Sequence, residues 1–246
     1  TTEHNRLYDW RPHIEKLGLT RYLQTVSGLE LTGSGPHLNS FPFHPHPHTQ
    51  DNGAPVWNRD PRVSAILLRN HQKANPDRWI QINHPDLIEN FIDQNDDGLA
   101  DGGYIGLGQL IDAVEVQNFR DSSILGRGVP IQVFIKTKVV VNREFLWLQL
   151  LNRGHRIVGM AVSDAHSVHG NGVGGWRMYM PSKTDEPAEI DWRENSRYAK
   201  AGRSILTTGP FLQVETTEGA GPGADVRGSG GVDLKVKVQC TDWIDI

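Results

Sequence analysis

The sequence predicts an α/β protein built on a parallel sheet, either open or closed into a barrel. Three observations carry that prediction. Segments with helical spacing alternate with short apolar strands, and histidines or carboxylates stand at the ends of those strands. The third is composition. With 246 residues, 22% of them charged and 37% hydrophobic, the chain is long enough for one large domain, with or without a small appendage.

The elements follow in order. "YLQTVSGLELTG" is a short β-rich run ending in polar residues. "PRVSAILLRNHQKANP" sets Val63, Ile66 and Leu67 at helical spacing between prolines, so it reads as a helix. "RWIQINHPD" and "LIDAVEVQN" read as strands. "NREFLWLQLLNRGH" repeats Phe145, Leu148 and Leu151 along one helix face, and Gly154 sits where a helix stop belongs. "RIVGMAVSDAH" reads as a buried strand. Beyond residue 180 a polar loop and a helix give way to a Gly- and Thr-rich stretch with alternating strands, a β-hairpin or the start of a β-sandwich. That shift places a boundary near residue 208, dividing the chain into 1–207 and a β-rich tail, 208–246.

Several classes of function are excluded. A net charge of −4 is too small and of the wrong sign for wrapping nucleic acid. The single cysteine, Cys240, rules out an internal disulfide framework and has no flanking residues that mark a nucleophile. No apolar run is long enough to span a membrane, and "TTEHNRLYDW" has no signal core, while the compartment stays open. "GNGVGG" at 170–175 lacks the residues of a phosphate-binding loop. Both ends read as cut, so the chain is expected to be part of a longer reading frame.

The strand ends carry the chemistry. "GLEL" places Glu30, "QINHPD" His84, "AVEV" Glu115, and "AVSDAH" Asp164 and His166. In α/β folds the carboxyl ends of strands converge on the site. One such residue is more often a capped turn; four strand ends in succession point to a shared ligand set for Zn, Mn or Fe. The dense tract "FPFHPHPHTQ" is a weaker candidate. Alternating prolines disfavour an interior strand, and in a polyproline II stretch His44, His46 and His48 point in three directions. His46 and His48 read as loop, and His44 at most as pocket rim.

The ordered set of motifs resembles the polymerase-and-histidinol-phosphatase superfamily, in its carbaryl-hydrolase-like branch. "TTEHN" resembles the T-D-H-N segment, and "GLEL" with "GPHLNSFP" the G-x-E and G-H-x-N-x-F-P segments. "QINHPD", "DAVEVQN", "LLNRGHRIVGMAVSDAHS", "GGWRMYM" and "TTGPFL" then follow in that branch's order, over roughly residues 1–215. The resemblance implies a distorted seven-stranded (β/α) barrel, lacking its first strand here, with one to three divalent ions. It places metal ligands at His4, Glu30, His37, His84, Asp164 and His166, with Glu115 orienting a ligand or a water. Two departures stand out. Glu3 occupies the usual aspartate position, and the D-x-H-x-H motif would lie upstream of Thr1, so the resemblance implies room for fewer ions here and leaves the activity of this chain without those residues open.

The implied activity is hydrolysis of a phosphate ester, or of a carboxyl or carbamate ester, by a metal-activated water acting on a small-molecule substrate. Arg177 would bind an anionic substrate group, or stand as a surface residue in an ion pair. The rival reading is a non-catalytic metal-binding barrel module of a larger protein. Separately, "DQNDDGLADGGY" runs like a calcium loop through Asp93, Asn95, Asp97, Gly98 and Asp101, with Tyr104 where the bidentate Glu belongs. That loop and the β-rich tail together support a third reading, a calcium-dependent carbohydrate-binding protein. Oligomeric state is open.

Overall fold

The computed structural model describes residues 1–33, 36–85, 106–116, 129–133, 136–140, 143–167, 169 and 174–242. These fall into two units, Thr1–Gly159 with Glu186–Glu189, and Met160–Asp185 with Ile190–Ile246. The acidic loop with Asp93, Asn95, Asp97 and Asp101 lies outside the described residues.

A six-stranded sheet organises the first unit. Its strands are β1 (Thr2–His4), β2 (Gly28–Leu31), β3 (His37–Phe41), β4 (Trp79–Asn83), β5 (Ala113–Glu115) and β8 (Val158–Met160), in that spatial order. The sheet is mixed rather than parallel. β1 runs parallel to β2 and β4 parallel to β5, but β3 is antiparallel to both its neighbours. The cause is the short connection after Leu31, which suits a hairpin-like return and is too short for a crossover helix. Because β3 is reversed, its amino end lies at the same sheet edge as the carboxyl ends of β1, β2, β4 and β5.

The two faces of this sheet differ in chemistry. Leu29, Leu31, Leu38, Ile80, Ile82 and Val114 alternate onto one face and are buried. Gly28, Glu30, His37, Asn39, Gln81, Asn83 and Glu115 take the alternate positions, and Glu30, Gln81, Asn83 and Glu115 are buried as well. A buried polar face has to satisfy itself by hydrogen bonds, since burying such a group unpaired costs about 1–3 kcal/mol.

Helix α1 spans Arg11–Lys16, and α2, Pro61–Asn70, packs against β3 and β4. Asp60 caps α2, accepting from Arg62 N at 2.9 Å, and Pro61 opens it where no backbone donor is needed. The buried residues of α2 are Pro61, Ser64, Ala65 and Leu68, whereas Val63, Ile66 and Leu67 are exposed. The apolar side chains at helical spacing thus mark the helix but not its inward face, which Pro61, Ser64, Ala65 and Leu68 form. Burying Leu68 fully contributes about 1.5–3 kcal/mol. Arg69 ties the helix down, bridging Asp112 at 2.7 Å and donating to the Arg78 and Leu110 carbonyls.

Strands β6 (Val129–Val133) and β7 (Lys136–Val140) form a separate antiparallel pair, followed by α3 (Arg143–Asn152). Gly154, at φ 86°, ends α3: its N–H donates to Leu151 O and that of His155 to Leu150 O, the paired bonds of a Schellman stop. On this helix Leu150 is fully buried and Leu151 is exposed, again one position from the face read in sequence.

The second unit contains β9 (Arg177–Tyr179) paired antiparallel with β10 (Ile205–Thr207), helix α4 (Trp192–Lys200), and β11 (Phe211–Thr216) paired antiparallel with β12 (Leu234–Gln239). Asp191 caps α4 through Arg193 N. Residue 208 falls inside this unit, at the turn between β10 and β11, where Thr207 Oγ1 donates to Pro210 O and accepts from Gly209 N. No helix among the described residues is long and apolar enough to cross a membrane.

Candidate metal centre

The site grows from the shared sheet edge. Register pairs His4 of β1 with Glu30 of β2, and His37 of β3 with Asn83 of β4. The four side chains therefore belong to adjacent strands, and His84 follows Asn83 directly. Ligand atoms of His4, Glu30 and His37 all lie within 4.8 Å of one another. The carboxylate of Glu30 is the hub. His37 Nδ1 is 3.0 Å from its Oε1, His4 Nδ1 is 3.6 Å from its Oε2, and His84 Nε2 is 3.9 Å from its Oε1. The His37 and His84 rings meet edge-on with centroids 4.7 Å apart.

Each of these positions is held by other residues. Asn5, at φ 50°, turns its side chain against Thr32, donating to Thr32 O at 2.9 Å and accepting from Thr32 N at 2.8 Å. That amide continues the β1–β2 ladder past its last rung and fixes His4 beside Glu30. Thr32 Oγ1 also contacts His4 Nδ1 at 2.6 Å. Beneath Glu30 runs a line of hydrogen bonds along β4: Trp79 Nε1 to Gln81 Oε1, Gln81 Nε2 to Asn83 Oδ1, and Asn83 Nδ2 to Glu30 Oε1. Alternate strand positions share a face, so the three residues line up by register alone.

His84 has a left-handed backbone, φ 28°, which is costly for any residue with a Cβ. Glu115 offsets part of that cost: its Oε2 accepts the His84 N–H at 2.8 Å, and its Oε1 accepts from Arg143 Nη1 at 3.1 Å. Glu115 is 1% exposed, and the Arg143 guanidinium at the start of α3 supplies the countercharge.

Asp164 and His166 lie in the second unit, after β8. Asp164 is also left-handed, φ 43°, and His166 Nδ1 contacts the Asp164 carbonyl at 2.9 Å; both side chains are exposed. Arg177 opens β9 opposite Thr207 and is exposed. Glu3 accepts from the Trp10 indole at 3.2 Å. In the proline-rich tract His44, His46 and His48 are exposed, and the Gln72 amide takes both the N–H and the C=O of His44.

The donor set fits a divalent ion. Glu30 is 5% exposed, and among the described residues the groups bridging to it are imidazoles, with no Lys or Arg. Asn39 stands directly across from Glu30 on β3, and its Oδ1 is a buried acceptor without a hydrogen-bond partner among the described residues. A buried carboxylate ringed by nitrogen donors next to an unsatisfied acceptor calls for positive charge.

Sequence reading missed Asn5, Thr32, Gln81 and Arg143. Gln81 carried a signal: a polar residue inside the otherwise apolar run "WIQIN" marks an inward polar face. Arg143 carried none, because its role depends on where α3 starts in space. Compared with family models, curated proteins and solved structures, the chain matches none of them.

Proposed function

We propose that the chain is a metal-dependent hydrolase of phosphate esters or of carboxyl or carbamate esters, using Glu30, His4, His37 and His84 as ligands. The observation that carries this reading is the convergence of three imidazoles on one buried carboxylate at the sheet edge. The motif order resembling the polymerase-and-histidinol-phosphatase superfamily supports it. A divalent ion held there supplies Lewis acidity and lowers the pKa of water toward about 7.

The chain's own residues do the rest. Asn83 holds one Glu30 oxygen and leaves the other facing His4. Thr32 orients the His4 ring, and Glu115 with Arg143 fixes the backbone that carries His84. Partners of this kind typically contribute 10- to 100-fold in metal affinity.

The test is metal content after stripping and reloading with Zn, Mn or Fe, measured alongside hydrolysis of p-nitrophenyl phosphate and p-nitrophenyl acetate. Bound metal and hydrolysis of at least one substrate, both lost in Glu30→Gln, are expected. Bound metal with no hydrolysis of either substrate overturns the enzymatic reading and leaves a non-catalytic metal-binding module. No bound metal overturns the site.

A further inference from the structure

The second unit holds a cavity of about 530 Å³, lined by the end of β9, the start of β10, β11 and the glycine-rich turn 219–224. None of its lining residues is one of those named for the metal centre, so the two sites stand or fall separately. Its size falls within the range of about 300–1,000 Å³ usual for small-molecule sites.

Its wall is built rather than accidental. The turn is locked at Thr216, whose N–H donates to Ala220 O at 2.8 Å and whose Oγ1 accepts from Ala220 N at 3.0 Å. Gly223, at φ 80°, packs so closely on the residues after α4 that a Cβ there would lie 2.1 Å from the Ala201 carbonyl. Only glycine fits, so the turn's position is fixed by backbone contact. Tyr179 and Phe211, which also line the cavity, meet edge-on with centroids 5.0 Å apart.

The lining is mostly apolar, and it contains no carboxylate. Its single charged lining residue is Arg203, an exposed side chain whose guanidinium lies 5.9 Å from the centre of the Tyr198 ring. Leu212 and Val214 line the cavity, and their cross-strand partners on the same face of the hairpin, Val238 and Val236, are 41% and 57% exposed. One cation beside an apolar lining matches a ligand with one negative charge and an apolar body.

We infer that this cavity binds a small amphipathic monocarboxylate, such as a medium-chain fatty acid or an aryl carboxylic acid, with the carboxylate at Arg203 and the body along Leu212 and Val214. A phosphate monoester, with nearly twice the charge, would find one lining cation instead of the two or more it needs. The test is calorimetric titration of the whole chain in EDTA, which removes metal as a competing carboxylate site, with octanoate, 1-octanol and inorganic phosphate. Octanoate is expected to bind roughly three- to fivefold more tightly than octanol, a modest ratio because the guanidinium is exposed. Phosphate should not bind.

Arg203→Gln, a surface change, should bring octanoate to the level of octanol. Gly221→Phe, where a new Cβ meets nothing closer than the Val214 carbonyl at 3.8 Å, should fill the cavity and weaken both. Saturable phosphate binding, the absence of octanoate binding, or octanoate binding indifferent to Arg203→Gln would each overturn the assignment.

Discussion

Two sets of three histidines make an instructive contrast. His44, His46 and His48 are alternate residues in one short tract, yet all three are exposed in a loop, and among the described residues they form no ligand group. His4, His37 and His84 are scattered over the first third of the chain, and they meet on one carboxylate. Proximity in sequence fails because the prolines between the first set deny it a ladder, and the tract turns at Pro47–His48, where His48 has φ 71°. Register succeeds for the second set because adjacent strands fix side chains about 5 Å apart whatever their separation along the chain.

The contrast can be broken most directly by removing one scattered histidine. His84→Ala or His37→Ala should abolish metal binding, read as metal per chain after dialysis; retention of full occupancy would overturn the ligand assignment. A smaller effect is expected one layer out. Glu115→Gln weakens the hold on the His84 backbone and leaves the Arg143 charge less well matched, so metal affinity should fall about 10- to 100-fold by competition with a chelator.

A histidine outside both sets sharpens the comparison through pH. His71 donates Nε2–H to Gly53 O at 2.7 Å and packs edge-on against Phe43. Burial holds its pKa below the ordinary 6.5, with the neighbouring Arg78 acting in the same direction. The unfolded chain therefore takes up a proton more readily than the folded one. The stability this residue contributes is fully present above about pH 6.5 and is lost as pH falls through its depressed value. Denaturant midpoints at pH 7.5 and 5.5 should show wild type losing more stability on acidification than His71→Gln. The smallest effect belongs to the dense tract: replacing His44, His46 and His48 together with Ala should leave metal content unchanged.

How much of this was legible in the sequence depends on which physical rule each residue obeys. Glu30, His84 and Glu115 stand at or just past strand ends, where the rule that carboxyl ends converge expects a site; the same rule pointed to Asp164 and His166, which lie in the second unit. His37 opens its strand, so that rule alone misses it; the reversal of β3 is what delivers its amino end to the same edge. The helices were legible and their buried faces were not. In α2 the hydrophobic period points to Val63, Ile66 and Leu67, but close approach to β3 and β4 favours Ser64 and Ala65. Asn5 and Arg143 were invisible, since their value depends on a partner carbonyl or carboxylate brought in by another element.

The reversal of β3 also has a kinetic meaning. Glu30 and His37 sit on strands joined by a connection of five residues, so bringing them together costs little loop entropy, whereas β1 reaches β2 across a much longer stretch of chain. The carboxylate and its nearest imidazole therefore belong to the part of the sheet expected to form first. Pulse-labelled hydrogen exchange during refolding should protect amides of 29–31 and 38–40 before those of 2–4. Under the proposed ligand set, an ion present during synthesis would meet Glu30 and His37 already side by side, and would act on the folding chain as well as on the folded one.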